Sequence, residues 1–409
     1  MNKKLFNHGR RSFLLGLGGF SLANLLHQSQ LSVAQAEDLT EYLTKGNKSN
    51  RGGSLRQIAA AKGIVYGSFH ERSNRDFSQD RKFQRFFLED YGLIVGGFYG
   101  VTVGPFSENN YNFEQIDTFI NFAEQNSLNF RAHPMIWSEF NSPWVVEKFK
   151  SSSTTSAEIE QIFINHITTL GKKYAGRVDS WDVVNEGIRV EDGRADNLKD
   201  TALSGVRGEK YPTWLNFLGA NYIEQAFRIA AAADPQATLL YNENNLTYSS
   251  PSGNSYWEQR RTAVLKLLER LKSKGTPIHA LGVQSHLLAH HNKDFDGKKF
   301  RKFLSDVASM GLKIVISELD VNDRELPKNI KLRDRIVAES YYQYLSVVLD
   351  EPAVTTIVNW GITDRHTWLS SFTPRQDGAA VRPLLRDRQY GRKLAWNAVA
   401  RALKEAPSR

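Results

Sequence analysis

Two glutamates stand at the carboxyl ends of strand-like apolar segments that lie about 130 residues apart. The first segment, residues 178–188, reads VDSWDVVNEGI and ends in Asn185 and Glu186. The second, residues 312–321, reads LKIVISELDV and contains Glu318. A carboxylate at such a position gains nothing by packing, so the pair indicates chemistry. Two carboxyl groups about 5–5.5 Å apart can cleave a glycosidic bond with retention of configuration, because one attacks the anomeric carbon while the other protonates the departing oxygen.

The two carboxyl groups must differ in protonation for this division of labour. Mutual repulsion of two nearby carboxylates keeps one of them protonated, which leaves an acid and an anion at the same pH. We assign Glu186 as the acid and Glu318 as the anion. Each glutamate taken singly could instead be an ordinary strand-end residue paired with a surface arginine, and only their joint occurrence argues against this alternative.

Short apolar segments alternate with amphipathic helical patterns along most of the chain. Eight strand-like segments occur in order: GIVYGSF, LIVGGFYGVTV, FRAHPMIW, VDSWDVVNE, ATLLYNE, IHALGVQSH, LKIVISELD and VTTIVNWGI. Their continuous apolarity is typical of strands that are buried on both faces, and the intervening segments carry apolar residues at helical spacing. This alternation predicts an α/β fold with a single (β/α)8 TIM barrel. A doubly wound open sheet is the alternative, but no glycine-rich phosphate loop follows the first strand.

Polar residues collect at the predicted strand ends, where barrels of this kind carry their active sites. They are His70, His133, Trp137, Asn185, Glu186, Asn242, Glu243, Gln284, His286, Glu318, Asp320, Trp360 and Asp364. A barrel with a purely structural role has no need of such a ring.

The N-terminus has the features of a targeting segment. It combines a basic start, a twin arginine at Arg10 and Arg11, a moderately apolar core and a small-residue site at Ala34-Gln35-Ala36. We therefore predict a twin-arginine (Tat) signal peptide over residues 1–36, a polar spacer over 37–54 and a catalytic barrel over 55–409. The alternatives are an uncleaved membrane anchor and a chance arginine pair, but glycines and polar residues interrupt the apolar run short of a span. The expected location is periplasmic or extracellular.

Composition excludes several other classes of protein. Cleavage after residue 36 removes four basic residues and no acidic one, so the formal net charge of +9 falls to about +5. The remaining basic residues are dispersed and are not interleaved with aromatic residues, which disfavours a nucleic-acid partner. The chain of 409 residues has no cysteine, which excludes disulfides and thiolate zinc sites. The pair His290-His291 lacks a third ligand at helical spacing, so we expect no metal there. The absence of a phosphate loop argues against a nucleotide or other cofactor.

Seven sequence blocks resemble glycoside hydrolase family ten, the endo-β-1,4-xylanases, in family order and spacing. They are AAAKGIVYGS, RAHPMIW, WDVVNEGI, NYIEQAFRIAAAADP, GVQSHL, SELDV and NWGITDRHTW, and the resemblance covers about residues 55–404. It implies that Glu186 is the general acid/base and Glu318 the nucleophile.

The resemblance also implies roles for the neighbouring residues. Asn185 would hydrogen-bond the sugar 2-hydroxyl, and His133 and Trp137 would line the subsite of the reacting sugar. Gln284 and His286 would flank the nucleophile, with His286 orienting it. Trp360 and Trp368 would stack on sugar faces. Apart from the resemblance, we expect Asn242 to support the site, and Asp320 either to support it by a hydrogen bond or to take part in the chemistry. Each histidine could instead be an ordinary core histidine, and each tryptophan could simply belong to the core.

The chain departs from the family pattern around the reaction centre. A Glu-Asn pair and a following Lys-Trp normally grip the next sugar on the non-reducing side. The corresponding positions here are Gly97, Phe98, Val101 and Thr102, and further departures are Ser138, Phe140, Asn244 and Arg365. Polar contacts of this kind discriminate strongly between sugars, so the resemblance supports glycosidic chemistry better than it supports xylan as the substrate.

The sequence therefore predicts an exported, monomeric, retaining β-glycoside hydrolase that meets the Tat export machinery during translocation. Its expected partner is a β-linked polysaccharide or oligosaccharide, with xylan or a related β-1,4-glycan foremost. A hydrolase or transglycosylase for a non-xylan β-glycan and a catalytically weak carbohydrate-binding barrel are the alternatives.

Overall fold

A computed structural model describes residues 53–70, 74–203 and 208–409. The predicted signal peptide and all but the last two residues of the predicted spacer lie outside the described residues. Within these ranges, eight parallel strands close into a ring, because Lys313–Asn322 pairs with Ala280–Val283 on one side and with Val354–Asn359 on the other. The predicted (β/α)8 barrel is thus confirmed, and closure of the ring excludes the open doubly wound sheet.

The barrel strands are separated by helices and share one direction, which puts their carboxyl ends on one face. In chain order they are β1 (Val65–Phe69), β2 (Leu93–Gly97), β3 (Asn129–His133), β5 (Ser180–Asn185), β8 (Thr238–Glu243), β9 (Ala280–Val283), β11 (Lys313–Asn322) and β12 (Val354–Asn359). Four shorter strands complete the described set: β4 (Ile136–Trp137), β6 (Thr201–Leu203), β7 (Lys210–Pro212) and β10 (His286–Leu288).

The helices connect the strands, and the longer ones each bury an apolar face. They are Leu55–Ala60, Asn74–Gln79, Arg81–Asp90, Gly100–Val103, Glu114–Gln125, Pro143–Lys150, Ser156–Tyr174, Trp214–Leu218, Tyr222–Ala233, Tyr256–Ser273, Gly297–Ser309, Ile330–Val348, Leu369–Phe372 and Leu394–Glu405. Side-chain caps set several of their starts: Thr155, for example, accepts a hydrogen bond from the backbone N–H of Glu158 at 3.2 Å. None of the described helices combines the length and apolar character needed to cross a bilayer.

Three of the predicted strands end earlier than their apolar runs suggest. The run FRAHPMIW divides at Pro134, which has no N–H to donate to a sheet ladder, into β3 and β4. The run IHALGVQSH divides at Ser285, whose φ of 63° lies in the left-handed region, into β9 and β10. The run LIVGGFYGVTV leaves the sheet after Gly97 and forms the helix Gly100–Val103. Each break lies at the mouth of the barrel, where it turns side chains toward the site.

Candidate active site

Glu186 follows the last residue of β5 with a φ of 55°, a left-handed conformation that is uncommon for glutamate. Its backbone N–H donates to the carbonyl of Asn242 at 2.9 Å, which holds this turn against the next strand. The side chain accepts hydrogen bonds from Trp137 Nε1 at 3.2 Å and from Gln284 Nε2 at 2.9 Å. With 13% of its side chain exposed, Glu186 is accessible from the mouth of the barrel while both of its oxygens are held.

Glu318 lies within β11 and is buried. Its backbone N–H donates to the carbonyl of Gln284 at 2.9 Å, and its carboxylate accepts from Asn242 Nδ2 at 2.7 Å. His286 Nε2 lies 3.1 Å from one oxygen, and His133 Nε2 lies 3.9 Å from the other. Burial acts to raise the pKa of Glu318, but His133, His286 and the nearby Arg131 outweigh burial and hold this pKa below its usual value. The carboxylate is thus kept ionised inside the protein.

Three amide side chains connect the two glutamates. Asn185 Oδ1 accepts from Asn242 Nδ2 at 2.8 Å and from Gln284 Nε2 at 3.2 Å. These two donors fix the orientation of the Asn185 amide, and its buried Nδ2 has no acceptor among the described residues. Asn185 therefore presents a donor for a ligand hydroxyl, which is the contact that the family resemblance implies.

The amide of Asn242 is itself fixed from the far side. Its Oδ1 accepts from Ser317 Oγ at 2.7 Å. Gly282 on the neighbouring strand leaves room for this amide, since a Cβ atom there would lie 2.1 Å from Asn242 Oδ1. The absence of a side chain at Gly282 is therefore a condition for the geometry of the site.

His286 forms a chain of contacts behind the nucleophile candidate. Its Nδ1 lies 2.9 Å from Asp320 Oδ1, and Trp368 Nε1 donates to Asp320 Oδ2 at 2.7 Å. Burial opposes the charged imidazolium, but the charge and hydrogen bond of Asp320, together with those of Glu318, raise the pKa of His286 to about 10. A charged imidazolium donates from both ring nitrogens, so it bridges the two carboxylates and orients Glu318.

A second supporting group, which the sequence analysis did not single out, lies behind His133. Asp182 Oδ2 lies 2.7 Å from His133 Nδ1 and pairs with the buried guanidinium of Arg131. Burial acts to raise the pKa of Asp182, but the charge of Arg131 and the contact with His133 leave it below its usual value. Arg131 also donates to the carbonyl of Ser317 at 3.0 Å, which ties the group to the strand that carries Glu318.

Beside Glu186 lies an ion pair, Lys199–Glu139, that the sequence did not predict. Lys199 Nζ lies 2.8 Å from Glu139 Oε1 and 3.9 Å from Glu186 Oε2. Glu139 follows β4 and Lys199 lies on the long connection after β5, so their proximity has no signature in linear spacing. The pair places a cation next to the acid/base candidate.

Aromatic side chains line the mouth unevenly. Trp360 is 5% exposed and stacks on Phe69 with ring centroids 4.2 Å apart, so one of its faces is already covered. Trp368 is half-buried and lies against His286 and Phe372. Of the two tryptophans predicted to stack on sugars, Trp368 is therefore the more accessible.

An aromatic wall formed by Tyr99, Trp137 and Phe140 stands beside the predicted glycone subsite. The centroid of the Phe140 ring lies 4.2 Å from that of Trp137 and 5.5 Å from that of Tyr99. Tyr99 occupies the space that a side chain at Gly97 would fill, since a Cβ there would lie 2.7 Å from Tyr99 Cε2. The departure from the family pattern thus replaces polar groups with rings.

Several predicted positions differ from what the structure contains. Phe98 does not face the mouth: it is buried, with its ring against Tyr174 and Trp181, because the chain turns after Gly97 and directs Tyr99 outward instead. Gln284 flanks Glu318 only through its backbone carbonyl, and its side chain contacts Glu186.

Three members of the predicted polar ring have other partners than the two glutamates. His70 packs on Phe119 with centroids 3.5 Å apart. Glu243 pairs with Arg260 at 2.8 Å, and Asp364 pairs with Lys393 at 2.9 Å. Among the described residues, no three His, Cys, Asp or Glu side chains form a cluster suited to a metal ion.

Known proteins that resemble this chain in sequence are glycoside hydrolases, in agreement with the geometry of the two glutamates. The family model for glycosyl hydrolase family 10 matches residues 54–402. The chain is 29% identical over 307 residues to endo-1,4-beta-xylanase B of Thermotoga neapolitana, which covers 74% of this chain and 78% of that protein. It is 30% identical over 280 residues to an endo-1,4-beta-xylanase of Geobacillus stearothermophilus, covering 66% and 76% of the two chains.

Solved structures give the same result. The crystal structure of native xylanase 10B from Thermotoga maritima superposes with a TM-score of 0.73 at 26% identity, covering 86% of this chain and 98% of that one. Xylanase 10B from Thermotoga petrophila in complex with xylobiose superposes with a TM-score of 0.73 at 25% identity, covering 86% and 97%. The closed barrel and the match over residues 54–402 confirm the resemblance: this chain belongs to glycosyl hydrolase family 10 and is a xylanase-like glycoside hydrolase.

Proposed function

We propose that this chain hydrolyses a β-1,4-linked polysaccharide, xylan or a related glycan, by double displacement. Glu318 is the nucleophile and Glu186 the general acid/base. The observation that carries this assignment is the contrast between their surroundings. Glu318 is buried among histidines and an amide donor, while Glu186 is partly exposed beside Trp137 and Gln284. One carboxyl is thus prepared to act as an anion, and the other can exchange protons with a leaving group or with water.

The proposed reaction has two steps. Glu318 attacks the anomeric carbon while Glu186 gives its proton to the departing glycosidic oxygen, which leaves a glycosyl-enzyme ester and a free aglycone. Glu186, now a carboxylate, then takes a proton from water as this water attacks the anomeric carbon and releases Glu318. Asn185 Nδ2 donates to the sugar 2-hydroxyl, a contact that strengthens as charge develops in the transition state.

The family relatives named endo-1,4-beta-xylanase support xylan as the first substrate to test. The aromatic wall supports a second candidate, a different β-glycan processed by hydrolysis or transglycosylation. Rings can contact the apolar face of a sugar but cannot replace charged hydrogen bonds to its hydroxyls. A glycan whose unit at this subsite presents an apolar face or a bulky substituent fits the wall better than plain xylose does.

The test is incubation of the purified protein with a panel of β-glycans, with products resolved by size and the first-formed anomer identified by proton NMR. Hydrolysis with retention is expected, and Glu318→Gln serves as the matched inactive control. An inverted first product would overturn the assignment of the two glutamates. Binding without products on every member of the panel would favour the carbohydrate-binding alternative.

Export through the Tat pathway is part of the proposal and rests on the N-terminal sequence. The mature protein is expected to begin near Glu37, after the small-residue site that ends at Ala36. N-terminal sequencing of exported protein tests the cleavage site. Export that persists after Arg10 and Arg11 are both changed to lysine would count against the Tat pathway.

A further inference from the structure

The Lys199–Glu139 ion pair lies inside the protein, immediately beside Glu186. The side chains of Lys199 and Glu139 are 8% and 18% exposed. One Glu139 oxygen faces Lys199, and the other is buried without a partner among the described residues. Burial raises the pKa of Glu139; Lys199 opposes this rise, whereas Glu186 adds to it. A buried pair of this kind adds little to stability, so its position needs another explanation.

The backbone on both sides of the pair is fixed. Lys199 N–H donates to the carbonyl of Gly187 at 2.9 Å, and Lys199 C=O accepts from Thr213 Oγ1 at 2.7 Å. On the other side, the carbonyl of Ser138, next to Glu139, accepts a hydrogen bond from the Tyr211 hydroxyl. The backbone of both residues is therefore fixed, and the Lys199 ammonium lies 2.8 Å from Glu139 on a side chain that is only 8% exposed.

Other charged groups also face Glu186. Glu243, at the end of β8, is paired with Arg260 and adds negative charge beneath the site. Across the amide side chains lies Glu318 with His286 and the nearby His133. These groups carry their own partners, whereas Lys199 is within 4 Å of both Glu139 and Glu186.

We infer that Lys199 and Glu139 form a charged pair that acts on the Glu186 carboxyl through its electrostatic field and sets the pH range over which Glu186 serves as the acid. Lys199 attracts the carboxylate form of Glu186, and Glu139 limits this attraction by balancing the ammonium charge. The inference deepens the proposed function, because it rests on Glu186 being the acid/base. Neither residue was assigned a role from the sequence, where the family's usual loop is altered around Phe140.

The two single substitutions should shift the pH profile of kcat/KM in opposite directions, and the double substitution should leave it close to that of the parent. Glu139→Gln leaves the ammonium unbalanced, which favours the carboxylate form of Glu186, so the alkaline limb of the kcat/KM profile moves down by about one pH unit. Lys199→Met removes the cation and moves the same limb up by a similar amount. The double variant removes both charges together and returns the limb close to the parent position. A merely structural pair would lower activity without shifts of opposite sign.

The experiment uses the whole protein and two readouts. The first is the pH dependence of kcat/KM on the glycan found active in the panel. The second is a 13C NMR titration of glutamate δ-carbons, with the Glu186 signal identified by its loss in Glu186→Gln. Thermal unfolding of each variant confirms that it is folded. The matched control is Glu124→Gln, which breaks an exposed ion pair with Arg177. Arg177 precedes β5, at the end of the barrel opposite the site, so this variant should shift neither readout.

The two readouts separate this inference from the proposed function. If the two single variants shift the NMR midpoint of Glu186 in opposite directions and the alkaline limb of kcat/KM with it, the inference and the proposed function are both supported. Opposite NMR midpoints with unmoved limbs support the pair's action on Glu186 and overturn the role of Glu186 as the acid. Unmoved NMR midpoints in folded variants, or midpoints that move in the same direction, overturn the inference while leaving the proposed function standing.

Discussion

Replacing Asp320 by asparagine should remove most of the reason why His286 is charged. Asp320 Oδ1 lies 2.9 Å from His286 Nδ1, and it is the largest influence that raises the pKa of this histidine against the effect of burial. Asp320→Asn keeps the shape and one of the two acceptor oxygens, which face His286 and Trp368, but removes the charge. Without this charge, burial favours the neutral imidazole, and Glu318 loses one of the cations that hold it ionised.

The size of the effect follows from the pKa of about 10 in the folded protein, compared with 6.5 as the ordinary value. A difference of this size corresponds to an upper limit of about 4.8 kcal/mol at 1.36 kcal/mol per unit. The His286 side chain is 24% exposed, so water screens the interaction, and we expect roughly 3 kcal/mol. Because the folded pKa is the higher one, this stabilisation is fully present below pH 6.5 and is lost as the pH rises to about 10.

The assay is the free energy of unfolding from urea titrations at several pH values between 6 and 10, for the parent and for Asp320→Asn. The deficit of the variant should be largest near pH 6 and should shrink toward pH 10. Asp294→Asn is the matched control, because Asp294 lies 2.6 Å from the more exposed His291 and should cost less than about 1 kcal/mol. A deficit that does not change with pH, or an NMR midpoint of His286 that stays near 10 in the variant, would refute the reasoning.

Four further predictions address the reaction directly. Glu318→Gln should lower kcat by more than about 10³-fold while circular dichroism shows that the fold is kept, since the side chain changes almost no volume. Glu186→Ala should hurt most with poor leaving groups, and added azide should restore part of the rate and yield a glycosyl azide detectable by mass spectrometry. Gly282→Ala should displace the Asn242 amide and cost about 10²-fold in kcat, whereas Gly92→Ala, where an added Cβ meets nothing nearer than 3.9 Å, should not. On unsubstituted xylo-oligosaccharides of increasing length, the gain in kcat/KM on adding the second glycone unit should be small, and a steep gain would contradict the altered subsite.

The strand sequences predicted most of the fold and the two proposed catalytic residues. Apolar runs on both faces of a strand require a buried parallel sheet, and a glutamate that ends such a run has few reasons to be there other than chemistry. Glu186 and Glu318 were found in this way, and the structure brings both to one set of amide contacts.

The supporting residues were harder to predict, because their partners come from distant loops and strands. Asp182 is one of several polar residues in the WDVVNE block, and only the closed barrel reveals that it lies behind His133. Phe98 and Tyr99 are adjacent aromatic residues after a strand, and one residue of backbone turn decides which of them enters the core. The family pattern predicts Phe98 at the subsite, but the structure buries Phe98 and directs Tyr99 outward.

The proposed catalytic glutamates are placed by the barrel strands, whereas the features that depart from the family pattern lie mostly in the loops. Glu318 is on a barrel strand and Glu186 directly follows one, and their amide supports come from neighbouring strands, so the packing of the ring itself constrains their geometry. The aromatic wall and the Lys199–Glu139 pair come mostly from connections beyond the strands, where replacements do not disturb the core. Substitutions in these connections can therefore change which sugar is bound and at what pH the acid is available without moving the carboxylates themselves. A family member with the usual strands and altered loops is accordingly expected to keep the double-displacement chemistry and to differ in substrate and pH range.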